Sequence, residues 1–162
     1  ANGQRITIVR PFNIIGPGLP DHYFAAALAK RLIAQKAALE AGLTTERTFE
    51  VQNPDATRDF IDVRDVASAV YFLLDQHSPD PGRAALFNIA TGQETSILEV
   101  ARHLGTLAGN LAPTSASETT SRAGITRSCG NIQARINSGW QPLISWRASI
   151  DDLCHENADV IT

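Results

Sequence analysis

Hydrophobic and polar positions follow two different periods along this chain, and the two periods alternate. Short runs of β-branched and apolar residues, typical of strands, occupy residues 5–9, 48–52 and 85–89. Longer segments repeat their apolar positions every three or four residues, as helices do, over residues 22–41, 63–74, 97–108 and 145–157, with a shorter helix over 131–137. Strands that alternate with helices in this way predict an α/β fold.

Two of these helices begin with residues that cap helices well. Asp62 stands directly before the second helix, and Ser96 and Glu99 have the spacing of a capping box before the third. The apolar residues that we expect these two helices to bury are Val63, Val66, Val70, Leu73 and Leu74, and then Ile97, Val100, Leu104 and Leu107.

Two segments have compositions typical of loops. Residues 14–20 are rich in Gly and Pro, which predicts a loop directly after the first strand. Residues 110–128 are rich in Thr, Ser, Ala and Gly, and two interpretations fit them: a long loop or a poorly ordered edge strand.

The first predicted strand lies almost at the beginning of the chain. An apolar strand of a parallel sheet needs neighbours on both sides, and we expect the missing neighbours upstream of residue 1. No Gly-x-Gly-x-x-Gly turn follows a strand, and neither Tyr23 nor Tyr71 is followed four positions later by a Lys. The chain is therefore expected to lack the preceding strands of its sheet, and it contains neither a dinucleotide-binding turn nor a Tyr-x-x-x-Lys pair.

Composition and charge exclude several functions. The chain has 162 residues, of which 43% are hydrophobic and 19% charged, as in one folded domain. A net charge of −3 provides no basic field for nucleic acid. The longest apolar stretch, residues 24–39, contains Lys30, Arg31 and Lys36, so no membrane-spanning helix is predicted.

Cysteines and histidines do not form the pattern of a metal site. Cys129 and Cys154 are isolated, and no His has ligand spacing with another His, a Cys or a carboxylate. We expect solvated histidines and two reduced thiols, as in a cytoplasmic protein.

Four motifs occur in order along the chain. They are Arg-Pro-Phe-Asn-Ile-Ile-Gly-Pro-Gly at 10–18, Thr-Arg-Asp-Phe-Ile-Asp-Val-Arg-Asp at 57–65, Phe-Asn-Ile-Ala-Thr-Gly at 87–92 and Gly-Trp-Gln-Pro at 139–142. In this order they resemble the C-terminal half of the extended short-chain dehydrogenase/reductase family, which contains the NAD(P)-dependent sugar-nucleotide epimerases, dehydratases and reductases. The resemblance covers roughly residues 5–153.

The resemblance implies a fold, a cofactor and a ligand. The fold would be the last strands of a Rossmann-type parallel sheet plus a small C-terminal substrate-binding domain, with residues 5–18 and 62–92 on the Rossmann side. NAD or NADP would be bound mainly by the missing N-terminal half. The partner would be a nucleotide-diphosphate sugar, and the resemblance leaves a homodimer open for the full-length protein.

Arg58 is the strongest candidate for a binding residue. The guanidinium is planar, always charged and able to donate two parallel hydrogen bonds to phosphate oxygens. By resemblance Arg58 contacts the diphosphate, while from spacing alone it equally fits a surface ion pair with Asp59 or Asp62.

Other positions receive roles from the resemblance only. Asn13 would approach the sugar diphosphate, or else form an Asx turn ahead of Gly16. Pro11 would lie beside the nicotinamide ring. The remaining candidates are Val51 and Asn53 for the base pocket, and Arg122 as a second phosphate-binding arginine or a solvated surface residue.

The segment at 53–65 most resembles enzymes acting on GDP-linked deoxysugars, in particular GDP-4-keto-6-deoxymannose reductases. The implied reaction is hydride transfer from NAD(P)H to a C4 keto group, with a general acid in the missing half. The alternatives are a 4-epimerase, a 4,6-dehydratase or a non-catalytic nucleotide-sugar binding module. We expect the isolated chain to be inactive.

Overall fold

A computed structural model describes residues 3–116 and 124–159, so Arg122 lies outside the described residues. The strands are β1 (Ile6–Pro11), β2 (Asn13–Ile15), β3 (Thr48–Val51), β4 (Thr57–Arg58), β5 (Phe60–Asp62), β6 (Ala84–Ile89), β7 (Thr95–Ser96), β8 (Ala112–Ser115) and β9 (Arg127–Ser128). The helices are α1 (Phe24–Glu40), α2 (Val63–Gln76), α3 (Ile97–Leu107), α4 (Gln133–Ser138) and α5 (Trp146–Asp159).

The β1 and β6 strands form a parallel pair, in register from Ile6 opposite Ala84 to Pro11 opposite Ile89. One face of the pair packs on α2 in a small apolar cluster formed by Ile61, Ala69, Leu73 and Ile89, with Val9 and Phe87 against it. Side chains on the other face remain open: Ile6 is 46%, Ile8 45% and Leu86 46% exposed. In the described part of the chain β1 pairs with β6 alone.

A larger core holds the remaining helices together. Helices α1, α3 and α5 pack around the parallel pair β3–β8, and their buried residues include Leu28, Leu32, Leu104, Ile150 and Leu153. The alternation of buried and exposed residues along β3 leaves Phe49 and Val51 inside this core.

The segment 57–62 lies between these two apolar clusters. Its first half, β4, pairs with β7 and β9, and its second half, β5, pairs in parallel with β2 so that Asn13 lies opposite Phe60. This short segment therefore contacts both the β1–β6 side of the molecule and the helical core.

Two buried carboxylates fasten α2 to the C-terminal part of the chain. Asp62 accepts the Arg64 backbone N–H at 2.7 Å, the Arg64 guanidinium at 2.9 and 2.8 Å, and the Ser149 hydroxyl at 2.5 Å. Asp65 accepts the backbone N–H groups of Leu143 and Ile144 at 3.1 and 2.9 Å. The beginning of α2 is thereby held to α5 and to residues 143–144, and both buried carboxylates have hydrogen-bond partners.

Most predicted elements are confirmed. Asp62 caps α2, and the Ser96–Glu99 capping box opens α3. The helix expected over 22–41 begins and ends slightly inside those limits. For the segment 110–128, the edge-strand interpretation holds at β8, which pairs with β3, while residues 117–123 lie outside the described residues.

Three local predictions are wrong. The loop expected at 14–20 begins with β2, because residues 13–15 find a parallel partner in β5. Leu74 is 80% and Leu107 40% exposed. Helix α2 instead buries Asp65, Ala69 and Leu73, one residue per turn, and Leu74 lies about 100° away from that line.

The ionisation of Asp62 should control acid stability. Burial opposes its charge, but hydrogen bonds from Arg64 and Ser149 outweigh burial and lower the pKa of the carboxyl. The ionised group therefore contributes stability above its unfolded pKa of about 4, and this contribution is lost as the pH falls through the lower folded pKa.

We expect Asp62→Asn to lower the free energy of unfolding at pH 7 by about 1 to 3 kcal/mol. Between about pH 5 and 2 its stability should fall less steeply than that of wild type. Urea unfolding at several pH values measures both effects, with the exposed Asp80→Asn as control. An unchanged slope in Asp62→Asn would contradict the prediction.

Candidate functional site

A cavity of about 570 Å³ opens at the carboxyl end of β1. Its walls come from the segment after β1, the N-terminus of α1, the turn after β3, and strands β4 and β5. Ligands of open α/β sheets bind at the carboxyl ends of parallel strands, so this is the place where a ligand is expected. The lining is largely apolar with a few polar groups, as in small-molecule sites.

Arg58 lines this cavity and is half-buried. Its Nη1 donates to the Thr57 carbonyl oxygen at 2.7 Å. Neither predicted ion pair forms, because other donors occupy both carboxylates: Asp59 accepts from Thr91 and from the backbones of Gly92 and Gly130. Asp62 binds Arg64 and Ser149, as described above. Among the described residues no carboxylate forms a salt bridge with Arg58, so its charge remains available to a ligand.

Asn13 lines the same cavity, beside Arg58. Its backbone N–H and its side-chain Nδ2 both donate to the Asp59 carbonyl oxygen, at 3.1 Å each. The alternative of an Asx turn ahead of Gly16 is therefore wrong, since the side-chain amide fastens β2 to the segment 58–60. Within the described residues Oδ1 and the second N–H of Nδ2 are left as hydrogen-bonding groups available to a ligand.

Of the predicted base-pocket residues, one lines the cavity and one does not. Asn53 lines it and adopts a left-handed backbone with φ of 48°. Val51 is 3% exposed and packs in the helical core, while Gln52 lines the cavity next to it. The base contact assigned to Val51 stays a prediction, as does the role of Arg122, whose position is outside the described residues.

Pro11 lies between two cavities. Besides the first, it lines a second space of about 480 Å³ together with Arg10, Asn88 and Ser128 at the carboxyl ends of β1 and β6. The Arg10 guanidinium donates to Asn88 Oδ1 through Nε and Nη2 at 3.1 and 2.9 Å, which fixes both side chains at this edge. Pro11, Phe12 and Asn13 line both spaces.

The sequence interpretation missed the contribution of α1. Tyr23 and Phe24 line the cavity and are 48% and 37% exposed. Tyr23 is the N-cap of α1 and makes no capping hydrogen bond through its side chain, so the first-turn N–H groups lack that partner. The position of two aromatic residues directly after a Gly/Pro loop was the available signal, because such residues seldom lie exposed without a role.

The loop that leads into α1 has a fixed path. Gly16 has φ of +122°, and a Cβ there would lie 3.1 Å from Asp62 Oδ2, so a side chain does not fit. The Gly18 backbone N–H donates to Glu156 of α5 at 2.6 Å. The last helix therefore holds the loop that brings Leu19 and Tyr23 to the cavity.

Thiols and imidazoles provide no chemistry at this site. Burial raises the pKa of Cys154 to about 11, and burial followed by the charges of Asp59 and Glu94 raises the pKa of Cys129, so both disfavour the thiolate. His103 is hydrogen-bonded to Asp151 at 2.7 Å, which makes the solvated role expected for it wrong. The described ranges contain no cluster of three or more metal-ligating residues. Nor do they contain a helix long and apolar enough to cross a bilayer.

Residues 1–90 match the NAD dependent epimerase/dehydratase family. The chain belongs to this family. It is 33% identical over 151 residues to GDP-6-deoxy-D-mannose reductase of Pseudomonas aeruginosa, and 31% identical over 153 residues to dTDP-L-rhamnose 4-epimerase of Burkholderia thailandensis. Each alignment covers 91% of this chain but only 46% and 38% of the respective relatives, so the chain spans less than half of their length.

Solved structures agree with this assignment. RMD from Pseudomonas aeruginosa, complexed with NADPH, aligns with a TM-score of 0.78 and 32% identity over 98% of this chain and 50% of that chain. UDP-glucose 4-epimerase from Thermotoga maritima, with UDP-glucose, gives a TM-score of 0.78 at 19% identity and thus shows the fold alone. The expected fold class, strands of a Rossmann-type sheet with a smaller domain, is confirmed.

Proposed function

We propose that this chain is the substrate-binding part of an NAD(P)-dependent oxidoreductase that modifies a nucleotide sugar. The observation that carries the proposal is the position of Arg58: a guanidinium without a carboxylate partner in the described chain, on the wall of a cavity at the carboxyl end of β1. A diphosphate is the ligand group that this arrangement suits best, since the fork of Arg58 matches two phosphate oxygens.

The N-terminus of α1 strengthens the case for an anion. Backbone N–H groups and the helix dipole make such a terminus favourable for negative charge. Tyr23, Phe24 and Ala25 bring this end of the helix to the same cavity that Arg58 lines. Two independent sources of positive potential thus meet in one space, and the described residues place no acidic side chain in its lining.

The rest of the cavity suits a nucleoside and a sugar. A volume of about 570 Å³ lies within the range of small-molecule sites. Tyr23 and Phe24 offer aromatic surface for a base, while Gln52, Asn53 and Asn13 offer amides that donate and accept hydrogen bonds. We assign the base to the Gln52–Asn53 end and the sugar diphosphate to the Arg58–Asn13 end.

The reaction we favour is reduction of the C4 keto group of a GDP-linked deoxysugar. Its support is the 33% identity to GDP-6-deoxy-D-mannose reductase. The second candidate is C4 epimerisation or 4,6-dehydration, supported by the 31% identity to dTDP-L-rhamnose 4-epimerase. A non-catalytic binding module is the third, since the chain contains no Tyr followed four positions later by a Lys.

The cofactor would lie on the β1–β6 side. NAD(P)H, when bound, supplies the hydride. The second cavity, at the carboxyl ends of β1 and β6, fits the place where dinucleotides bind in such sheets, and Pro11 would be its contact to the nicotinamide ring. Arg10 and Asn88 hold this edge through their mutual hydrogen bonds.

The location we propose is the cytoplasm. Cys129 and Cys154 form no disulfide, which suits its reducing environment.

We further propose that another polypeptide segment covers the open side of β1. Parallel sheets are normally buried on both faces, yet Ile6, Ile8 and Leu86 expose nearly half of their surface here. The half of the relatives that this chain does not match is the natural occupant, supplied by the same or by a second polypeptide.

Arg58→Ala should weaken binding of a nucleoside diphosphate by about 1.5 to 3 kcal/mol, the usual effect of losing a charged hydrogen bond. Isothermal titration with GDP measures the change. Arg127→Ala is the matched control, because Arg127 lies opposite Thr57 in the same sheet but pairs with Glu94. Arg58→Lys should recover only part of the affinity, since an ammonium keeps the charge without the fork. Equal affinity of wild type and Arg58→Ala for GDP would show that Arg58 does not bind the diphosphate.

GDP should bind more tightly than UDP or dTDP, because the base pocket offers amides that suit the several polar groups of a guanine edge. Competition against a single labelled nucleotide ranks the three under one condition. A preference for dTDP or UDP would support the epimerase or dehydratase alternative over the reductase.

The isolated chain should neither turn over a 4-keto nucleotide sugar nor bind NAD(P) measurably, since it has no Tyr-x-x-x-Lys pair to supply a proton at C4 and no dinucleotide turn. Spectrophotometry of NAD(P)H oxidation tests this, with the Pseudomonas reductase as positive control. Addition of a polypeptide that supplies the unmatched half should restore activity. Turnover by the purified chain alone would overturn the prediction.

A further inference from the structure

Asp59 is completely buried and does not line the cavity, yet it is the most heavily bonded carboxylate near it. Its Oδ1 accepts the backbone N–H and the hydroxyl of Thr91 at 2.9 and 2.6 Å. Its Oδ2 accepts the backbone N–H groups of Gly92 and Gly130 at 2.8 and 3.1 Å. The Cys129 Sγ lies 3.8 Å from the same Oδ2 as a weaker fifth donor. With five donors from two separate loops, the carboxylate is fixed in position.

The main chain of Asp59 makes a second set of contacts. Its carbonyl oxygen accepts both the backbone and the side-chain N–H of Asn13, and its own N–H donates to the Ser128 carbonyl at 2.8 Å. Arg58 directly precedes Asp59 in the chain, and Asn13 is hydrogen-bonded to the Asp59 carbonyl oxygen. Both Arg58 and Asn13 line the cavity of the proposed ligand. Whatever moves Asp59 therefore moves Arg58 and Asn13 together.

The surroundings leave little room for such a movement. A Cβ on Gly130 would lie 2.3 Å from the Ala90 Cβ and 3.2 Å from the Phe12 ring. A Cβ on Gly92 would lie 2.7 Å from Ile132. At Gly92 and Gly130 the two loops therefore approach as bare backbone, and the N–H groups of these glycines reach the carboxylate beside the side chains of Thr91 and Cys129.

We propose that Asp59 is the positioning residue of the phosphate-binding wall, acting through Arg58 and Asn13 without touching the ligand. This inference rests on the function proposed above. A buried carboxylate that binds five donors resists a shift of the backbone that carries it, so the guanidinium is held ready before the diphosphate arrives.

The test compares Asp59→Asn with Asp65→Asn by GDP titration and by urea unfolding of the same samples. Asp65 is the matched control, since it is also buried and also accepts two backbone N–H groups, but it holds residues 143–144, which lie outside the cavity lining. An amide at position 59 turns one acceptor into a donor that faces an N–H group. We expect Asp59→Asn to raise the Kd about tenfold and Asp65→Asn to leave it unchanged, although both lower stability.

A double-mutant cycle with Arg58→Ala separates positioning from general destabilisation. If Asp59 acts through Arg58, the double variant should bind GDP scarcely more weakly than Arg58→Ala alone, whereas Asp65→Asn should give additive effects. Thr91→Val is a milder variant that removes one hydroxyl donor and should raise the Kd about two- to threefold. It provides the same comparison if Asp59→Asn does not fold.

Each outcome of these titrations tests either the proposed function or the positioning role of Asp59. Wild type that binds none of GDP, UDP and dTDP would overturn the proposed function, and this inference with it. Wild type that binds, with Arg58→Ala weakened but Asp59→Asn and Thr91→Val equal to wild type in Kd, would overturn the positioning role alone. A tenfold higher Kd for Asp59→Asn, which adds scarcely anything once Arg58 is Ala, would establish the positioning role of Asp59.

Discussion

The structure depends on buried carboxylates that bind backbone N–H groups. Asp59, Asp62 and Asp65 follow one another every three residues, and each is almost completely excluded from solvent. A buried charge is costly unless hydrogen bonds replace its water, and here each carboxylate accepts at least one of them from a different distant segment, while Asp62 also accepts three from its neighbour Arg64. Asp59 binds the loops at 91–92 and 130, Asp62 binds α5 through Ser149, and Asp65 binds residues 143–144. One nine-residue segment thereby joins the β1–β6 side to the helical core.

The charge of the cavity follows from this use of carboxylates. Because all three acids of the segment are engaged internally, Arg58 has no acidic partner in the described chain although it stands next to one of them. The same segment thus builds the scaffold and leaves a single positive group facing the cavity.

The sequence predicts those features that are decided within one turn or one strand. The cap at Asp62 and the capping box at Ser96 depend on residues two or three positions away, and both were predictable. Leu74 and β2 were mispredicted because distant partners decide them. The β1–β6 pair and residues 143–144 determine which line of α2 is buried, and β5 turns residues 13–15 into a strand. In the site, the positions of Asn13 and Arg58 on one wall agree with what the motifs imply. The inward side chain of Val51 follows from the alternation of β3, which the sequence did show.

The uncovered side of β1 has a practical consequence for anyone who handles this chain. A strand edge that finds no partner among the described residues, next to Ile6, Ile8 and Leu86 on an open face, is a template on which another extended segment can add itself. Neither Lys nor an inward-pointing charge interrupts the apolar centre of that strand. Purification at high concentration therefore favours self-association through this edge, and a solubility partner or a substitution to Lys at position 8 is the rational remedy.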